Sequence, residues 1–257
     1  MLYSVSSSGG GSTGGGGTAG GDTSGGGSSA IAVPVTSGHG DTNISATVEG
    51  TTATIAADGE QIDKVIADGA KSVEIDISGL GDVDTVKLPT DIISKADEAK
   101  GTTLTIKLAD GAVELSQKAL KTIASGEEVT ISIRQTTLTD AQRQAVGSLA
   151  QVAAVVDVNL YVGEKQQSRF GGGALTISIP YTPKAGEDTS KLAVWFIRDD
   201  GTIENKKGSY DAESGCFVFK TTHLSRYVLV DTTKAHNAAN TSAKVGVWTQ
   251  VVMFFRE

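Results

Sequence analysis

The sequence contains a single cysteine, Cys216, and only three histidines among its 257 residues. One cysteine cannot form a disulfide within the chain, and its place in an alternating strand pattern predicts a buried small hydrophobe rather than a nucleophile. Two of the histidines, His39 and His236, lie in segments predicted to be flexible. Because a metal ion needs ligands held in fixed geometry, we expect neither a metal site nor a cofactor.

Positive charge and long apolar runs are also scarce. The formal net charge is −8 and the isoelectric point is about 5.0. Phosphate binding needs a basic surface, so nucleic acid is not an expected partner. Residues Met1 to Val5 lack the basic start of a signal peptide, and no apolar run reaches the length of a bilayer. Taken alone, the chain is predicted to be soluble, without a membrane span.

Glycine is abundant at the start, where it supplies 12 of the first 27 residues. Such a segment buries too little apolar surface to offset its ordering entropy, so residues 1–45 are predicted to be a flexible linker. Residues 232–257 are predicted to be a second linker followed by an apolar tail. The tail, 245–255, is interpreted either as docking on a sheet edge or neighbouring molecule, or as the non-native end of an interrupted reading frame.

Three imperfect strand–helix–strand repeats occupy residues 46–150. Their closing strands, 73–77, 104–108 and 129–133, alternate apolar and polar residues and are therefore expected to bury one face each. The pattern predicts an α+β domain of two layers, with a mixed sheet and helices on one of its faces. A solenoid is the alternative. Equivalent positions are 31 and then 25 residues apart, and this irregularity favours a compact domain.

Helix ends and buried helix faces are visible in the same region. The first helix is expected to be capped by Asp58, the second to begin near Pro89 and the third near Ser116. A capping box from Thr139 to Gln142 predicts a fourth helix. The predicted apolar faces, in helix order, are Ile62, Val65 and Ile66; Ile92, Ile93 and Ala96; Ala119, Leu120 and Ile123; and Val146, Leu149 and Val152.

Residues 151–231 are predicted to form a small antiparallel β-sandwich. Short apolar runs are separated by glycine- and aspartate-rich turns at 199–201 and 210–215, which is typical of β-hairpins. Pro180 cannot donate to a sheet ladder and is expected to end its strand. The predicted strands cover 155–162, 175–179, 192–197, 216–219 and 227–230, and Gly171–Gly173 is predicted to be a flexible bend.

Three segments of this sandwich, 178–181, 210–211 and 221–227, carry a family resemblance. They resemble the β-rich, non-catalytic module that precedes S-layer homology repeats in secreted and cell-surface proteins of Gram-positive bacteria. The similarity extends back to about residue 48; the family usually has Phe where Leu224 stands, and no S-layer homology repeat follows here. The resemblance implies a secreted or cell-surface location within a longer exported polypeptide, with neighbouring domains and a cell-wall polymer or surface glycan as partners. It implies no enzymatic activity.

Several polar residues invite a catalytic or metal-binding interpretation. His223 and Ser225 are two residues apart, but a catalytic pair also needs an orienting carboxylate and an oxyanion hole. We expect these two residues to stabilise the last turn by hydrogen bonds. The acidic pairs lie beside glycine in predicted turns and lack the spacing of a calcium loop. They are Asp82 with Asp84, and Asp199 with Asp200.

The aromatic residues offer the remaining candidate site. Trp195, Tyr181 and Tyr210 are predicted to form a ligand surface on which a sugar could stack. Trp195 and Phe196 are adjacent and therefore point to opposite faces of a strand, so at least one of them should be core. The favoured function is a non-catalytic structural or spacer module. The alternative is an adhesion module that binds a glycan or a host protein through the sandwich surface; an enzyme is not expected.

Overall fold

The protein is mostly β. The structure, a computed structural model, describes residues 30–37, 40–57, 59–66, 70–124 and 126–233. Of the described residues, 49% lie in strands and 17% in helices. Some predictions concern residues outside the described ranges: the linker up to residue 29, His39, Asp58, His236 and the apolar tail.

Sixteen strands and four α-helices are present in the described ranges. The strands are β1 (Ile31–Ser37), β2 (Gly40–Glu49), β3 (Thr52–Ala56), β4 (Ser72–Asp76), β5 (Thr85–Leu88), β6 (Thr103–Leu108), β7 (Gly111–Leu115), β8 (Val129–Gln135), β9 (Gln151–Val162), β10 (Lys165–Gln166), β11 (Leu175–Pro180), β12 (Leu192–Ile197), β13 (Ile203–Asn205), β14 (Gly208–Asp211), β15 (Cys216–Thr221) and β16 (Arg226–Asp231). The helices are α1 (Gly59–Val65), α2 (Thr90–Glu98), α3 (Gln117–Ile123) and α4 (Asp140–Val146), with a 3₁₀ turn at Thr189–Lys191.

All sixteen strands belong to one mixed sheet. Its order is β13-β12-β16-β9-β8-β5-β3-β2-β1-β4-β6-β7-β11-β15-β14, with β10 paired to β9. The predicted two-layer α+β domain with helices on one face of its sheet is therefore wrong. The reason is the hairpin β1–β2, which lies largely within the predicted 1–45 linker and joins the opening strands of the repeats to their closing strands.

The three repeats are arranged differently from one another. Opening strands β3 and β5 pair in parallel, as do closing strands β4 and β6, so the first two repeats stack like turns of a solenoid. The third repeat runs in reverse, because β7 folds back antiparallel onto β6 and β8 returns beside β5. Helices α1, α2 and α3 lie in a row that follows this stacking. The reversal accounts for the unequal spacing of the closing strands.

The separate antiparallel β-sandwich predicted for residues 151–231 is also wrong, because its strands extend the same sheet on both sides. β9 pairs with β8, and β16, β12 and β13 follow; β11 pairs with β7, and β15 and β14 follow. Hydrogen-bonded strands thus cross the predicted boundary between residues 150 and 151. The two predicted hairpins are confirmed as β12–β13 and β14–β15.

The apolar side chains form two clusters. The main core runs from Val33 on β1 to Leu229 on β16 and takes residues from both sides of the sheet and from α1–α3. The predicted apolar faces of these three helices are confirmed as buried. The second core lies under α4 and consists of Leu138, Val146, Ala150, Val155, Ala193, Trp195, Ile197, Val228 and Val230.

The segment Gly171–Gly173 packs against α3 rather than forming only a flexible bend. A Cβ atom on Gly173 would lie 2.5 Å from the Ala119 nitrogen and 2.8 Å from its Cα. Real Cβ atoms do not approach backbone this closely, so glycine is required by the contact. The loop before β11 therefore lies directly against α3, and Phe170 in this loop is fully buried in the main core.

Helix α4 begins as predicted but ends before the last two residues of its predicted apolar face, Leu149 and Val152. Thr139 accepts a hydrogen bond from the Gln142 nitrogen at 3.2 Å, and the Gln142 side chain accepts one from the Thr139 nitrogen, which confirms the capping box. Of the predicted stripe only Val146 is buried; Leu149 is 51% exposed and Val152 37% exposed. The helix ends at Val146 with Gly147 as its C-cap, so these two residues lie beyond its last turn.

Candidate functional site

A polar groove of about 760 Å³ opens where β9, β12 and β13 meet the start of α4 and the loop before β16. We call it the polar groove. Strand register assembles it: β9 and β16 place Asp157 opposite Arg226, and β12 and β13 place Phe196 opposite Glu204. Its lining includes Asp157, Arg169, Phe196, Lys206, His223 and Arg226.

His223 is held in the groove by its backbone and by ring contacts. Its backbone forms an isolated bridge with Arg169, and its carbonyl accepts the Tyr227 hydroxyl at 2.5 Å. Its ring meets the Phe196 ring edge-on, with centroids 4.7 Å apart. Ser225 also stabilises this turn through its backbone, because its carbonyl accepts a hydrogen bond from the Val158 N–H at 3.1 Å.

Among the described residues, the His223 imidazole makes no hydrogen bond to a carboxylate or to the Ser225 hydroxyl. Its Nδ1 lies 3.4 Å from the Thr221 hydroxyl, and its buried Nε2 has no hydrogen-bond partner among the described residues. Burial, and next the positive charge of Lys206, lower the pKa of His223, so the ring is neutral at pH 7. In this arrangement His223 neither activates Ser225 nor is oriented by a carboxylate.

Tyr227, a residue of the main core, holds the His223 backbone in place. Its hydroxyl lies 3.1 Å from the Thr221 hydroxyl in addition to its bond to the His223 carbonyl. Its ring packs against Phe219 at 4.9 Å between centroids. Burial raises the pKa of Tyr227 well above its ordinary range, so the phenol stays protonated far into alkaline conditions.

The charges in the groove are mostly paired. Arg198 and Lys206 both reach Glu204, at 3.0 and 2.7 Å, and Arg226 reaches Asp157 at 3.4 Å. The bond from Lys206 is the largest cause of the lowered pKa of Glu204. The same two cations, Arg198 and Lys206, flank the Phe196 ring at 5.9 and 5.4 Å from its centroid. These contacts hold Phe196 and the cations in one place.

Arg169 differs from these cations. It is exposed and lines the groove, and none of the ion pairs found in the described ranges includes it. Its backbone position is set by the bridge to His223. Arg226 also retains an unused donor, because its buried Nε has no hydrogen-bond partner among the described residues.

The predicted ligand surface is divided by the fold. Trp195 is only 8% exposed and belongs to the second core, so it cannot form a stacking platform on the surface. Tyr181 and Tyr210 do meet, with ring centroids 6.5 Å apart and planes at 85°. The Tyr181 hydroxyl donates to Glu187 at 2.7 Å, and burial together with this carboxylate raises the pKa of Tyr181 to about 12.

Two of the acidic candidates, Asp84 and Asp200, are engaged by other groups of the protein. Asp84 pairs with Arg134 at 2.9 Å, and Asp200 accepts the Thr202 nitrogen at 2.9 Å in the β12–β13 turn. Across the described ranges, no cluster of three or more histidine, cysteine or acidic side chains is placed to hold a metal ion. Cys216 is half-buried rather than fully buried, and its thiol donates to the Ser214 carbonyl at 3.5 Å.

Sequence reasoning identified His223 but missed the groove around it. Arg226 and Asp157 are 69 residues apart, and Arg169 is brought in by a single bridge to His223. No local spacing in the sequence links these positions. The pairing of β9 with β16 and the Arg169–His223 bridge bring them together.

Comparison with protein-family models and with curated protein sequences finds no match to this chain. Within the described ranges, no helix is long and apolar enough to cross a membrane.

Proposed function

We propose that the chain is a non-catalytic structural or spacer module of a secreted or cell-surface protein. The observation that supports this most is the continuity of the sheet, which runs without a break through all sixteen strands. The 12-residue strand β9 joins the repeat region to the C-terminal strands on one side, and the pair β7–β11 does so on the other. Pulling on such a unit loads many backbone hydrogen bonds at once.

The resemblance of segments 178–181, 210–211 and 221–227 to the module that precedes S-layer homology repeats also supports a place on the Gram-positive cell surface. The acidic net charge of −8 is compatible with that setting. The side chains that suggested catalysis are engaged in packing and turns: His223 against Phe196, and Asp200 in a hairpin. These engagements support a structural role for those residues.

Force spectroscopy on the full chain tests the proposal. A mechanical spacer should unfold in one step, with a contour-length gain of about 700 Å for the span 30–233 at roughly 3.5 Å a residue. Two separate steps of about half that length would show that the chain does not resist force as a single mechanical unit.

A catalytic role is tested at His223. Its ring packs on Phe196 and Tyr227, so His223→Ala should lower the thermal midpoint. If the purified protein hydrolysed a polymer, and His223→Ala abolished that activity without moving the midpoint, the non-catalytic proposal would be overturned.

The adhesion alternative loses one of its three predicted contacts, because Trp195 is buried. The other two predicted contacts, Tyr181 and Tyr210, still lie side by side.

A further inference from the structure

The polar groove has the side chains of a binding site, a function separate from the proposed spacer role. Seven of its lining residues have uncharged side chains able to donate and accept hydrogen bonds. They are Thr139, Ser168, Thr222 and Ser225, with hydroxyls, and Gln142, Asn159 and Gln166, with amides. A lining of hydroxyls and planar amides fits a ligand that is itself rich in hydroxyl groups.

The charge in the groove is opposite in sign to that of the whole chain. Four cations and three carboxylates line it, a difference of +1, whereas the chain carries −8. Three of the cations already have carboxylate partners, and Arg169 supplies the excess. An exposed guanidinium presents a planar fork of donors that matches a carboxylate. The groove therefore suits a ligand that carries occasional negative charge.

Preorganisation distinguishes this site from an ordinary polar surface. Glu204 holds Arg198 and Lys206 against the Phe196 ring, and the Gln166 amide donates to Asn159 at 2.8 Å. The Arg169 backbone is fixed by its bridge to His223, whose carbonyl is bound in turn by Tyr227. Side chains held in this way lose little entropy when a ligand binds.

We propose that the polar groove binds a short acidic saccharide, with Arg169 contacting a sugar carboxylate and the hydroxyl and amide side chains contacting sugar hydroxyls. The groove volume, about 760 Å³, lies within the usual range for small-molecule sites. An acidic peptide fits less well, because binding energy at protein interfaces is concentrated in aromatic and arginine anchors, and the aromatic rings in the groove lining, Phe196 and His223, are packed against each other. Densely charged polyanions are disfavoured by the acidic chain.

Calorimetric titration of the full chain tests the proposal with two probes, tetragalacturonate and a hyaluronan tetrasaccharide. At least one should bind, and Arg169→Ala should weaken that binding tenfold or more while Arg169→Lys weakens it less. The matched control is Arg143→Ala, which removes the same charge from α4 outside the groove, where Arg143 pairs with Asp140. It should leave the affinity within twofold, and thermal midpoints should show that every variant is folded.

Three results would overturn the proposal. The first is no binding of either tetrasaccharide at millimolar concentration. The second is equal weakening by Arg169→Ala and Arg143→Ala, which indicates diffuse attraction rather than a site. The third is equal binding of methyl-esterified tetragalacturonate, or tighter binding of a tetraglutamate peptide, because neither ligand needs both the carboxylate and the sugar hydroxyls.

Discussion

The main core and the second core share strands but are enclosed in different ways. β16 sends Tyr227 and Leu229 into the main core, and Val228 and Val230 into the second. Strands and three helices surround the main core, and most of its members are under 3% exposed. The second core is covered by α4, a helix of seven residues, and its members keep up to 9% exposure.

This difference explains why the two clusters differ in how well they can be predicted. Strands β4 and β6 bury one face, and their alternation marks the buried residues directly. Strands β12 and β16 bury both faces, so they appear as continuous apolar runs that do not reveal which residue enters which core. The partner that covers the second face, α4, comes from a distant part of the chain.

The largest expected effect contrasts one isoleucine from each core. Ile106 is fully buried in the main core, and Ile197 is 4% exposed in the second. We expect Ile106→Ala to lower the free energy of unfolding by about 4 kcal/mol, because its enclosed site cannot collapse, and Ile197→Ala by about 2 kcal/mol. Urea unfolding measures both. Equal losses would mean that the two cores are equally rigid.

The next effect concerns the close contact between Gly173 and helix α3, beside the main core. A methyl group there would press on the Ala119 backbone, so Gly173→Ala should cost about 1–3 kcal/mol of unfolding free energy. Gly79 is the control, since a Cβ atom at that position meets nothing within 4 Å. Chemical denaturation of both variants makes the comparison. A Gly173→Ala protein as stable as Gly79→Ala would show that the loop can move away from α3.

A smaller effect should be confined to the second core. Thr139→Ala removes half of the capping box of α4 and should cost about 1 kcal/mol, whereas Thr139→Ser should retain most of the stability. In a Trp248→Phe background Trp195 is the remaining tryptophan, because the chain has two. Acrylamide should quench its fluorescence more in Thr139→Ala, with far-UV circular dichroism unchanged. Unchanged quenching would show that α4 does not close the second core.

A similarly small effect at neutral pH is expected at Tyr227, where the cores meet on β16. Tyr227→Phe should cost about 1 kcal/mol at pH 7, because Thr221 still donates to the His223 carbonyl. In alkali, the stability difference between Tyr227→Phe and the parent protein should change sign. Burial raises the pKa of the folded-state phenol above the unfolded value near 10, so its contribution is present below pH 10 and is lost as the pH rises further.

Tyr227→Phe should therefore lose less stability than the parent between pH 10 and 12, which unfolding curves across that range would detect. Parallel losses in both proteins would indicate that Tyr227 is not buried in its neutral form. Tyr181→Phe provides a comparison. The pKa of Tyr181 is also raised, to about 12, but this residue directly follows the end of β11 instead of lying in the main core.

Much of the local structure could be predicted from the sequence. The buried faces of α2 and α3, the α4 capping box and the two hairpins have the predicted residues. The glycine-rich residues before hairpin β1–β2 predict a linker where the hairpin forms. The sequence predicts a ligand surface at Trp195, because nothing near this residue in the sequence indicates that α4 lies above it.

Periodicities, caps and turns follow from the amino-acid order alone, because they depend on residues a few positions apart. Long-range strand pairing sets the single sheet, the reversed third repeat and the groove shared by Asp157, Arg169, His223 and Arg226. Each of these depends on which strand edges meet. Backbone hydrogen bonds between strands are nearly independent of side-chain identity, so strand partners are chosen by the burial of the whole chain.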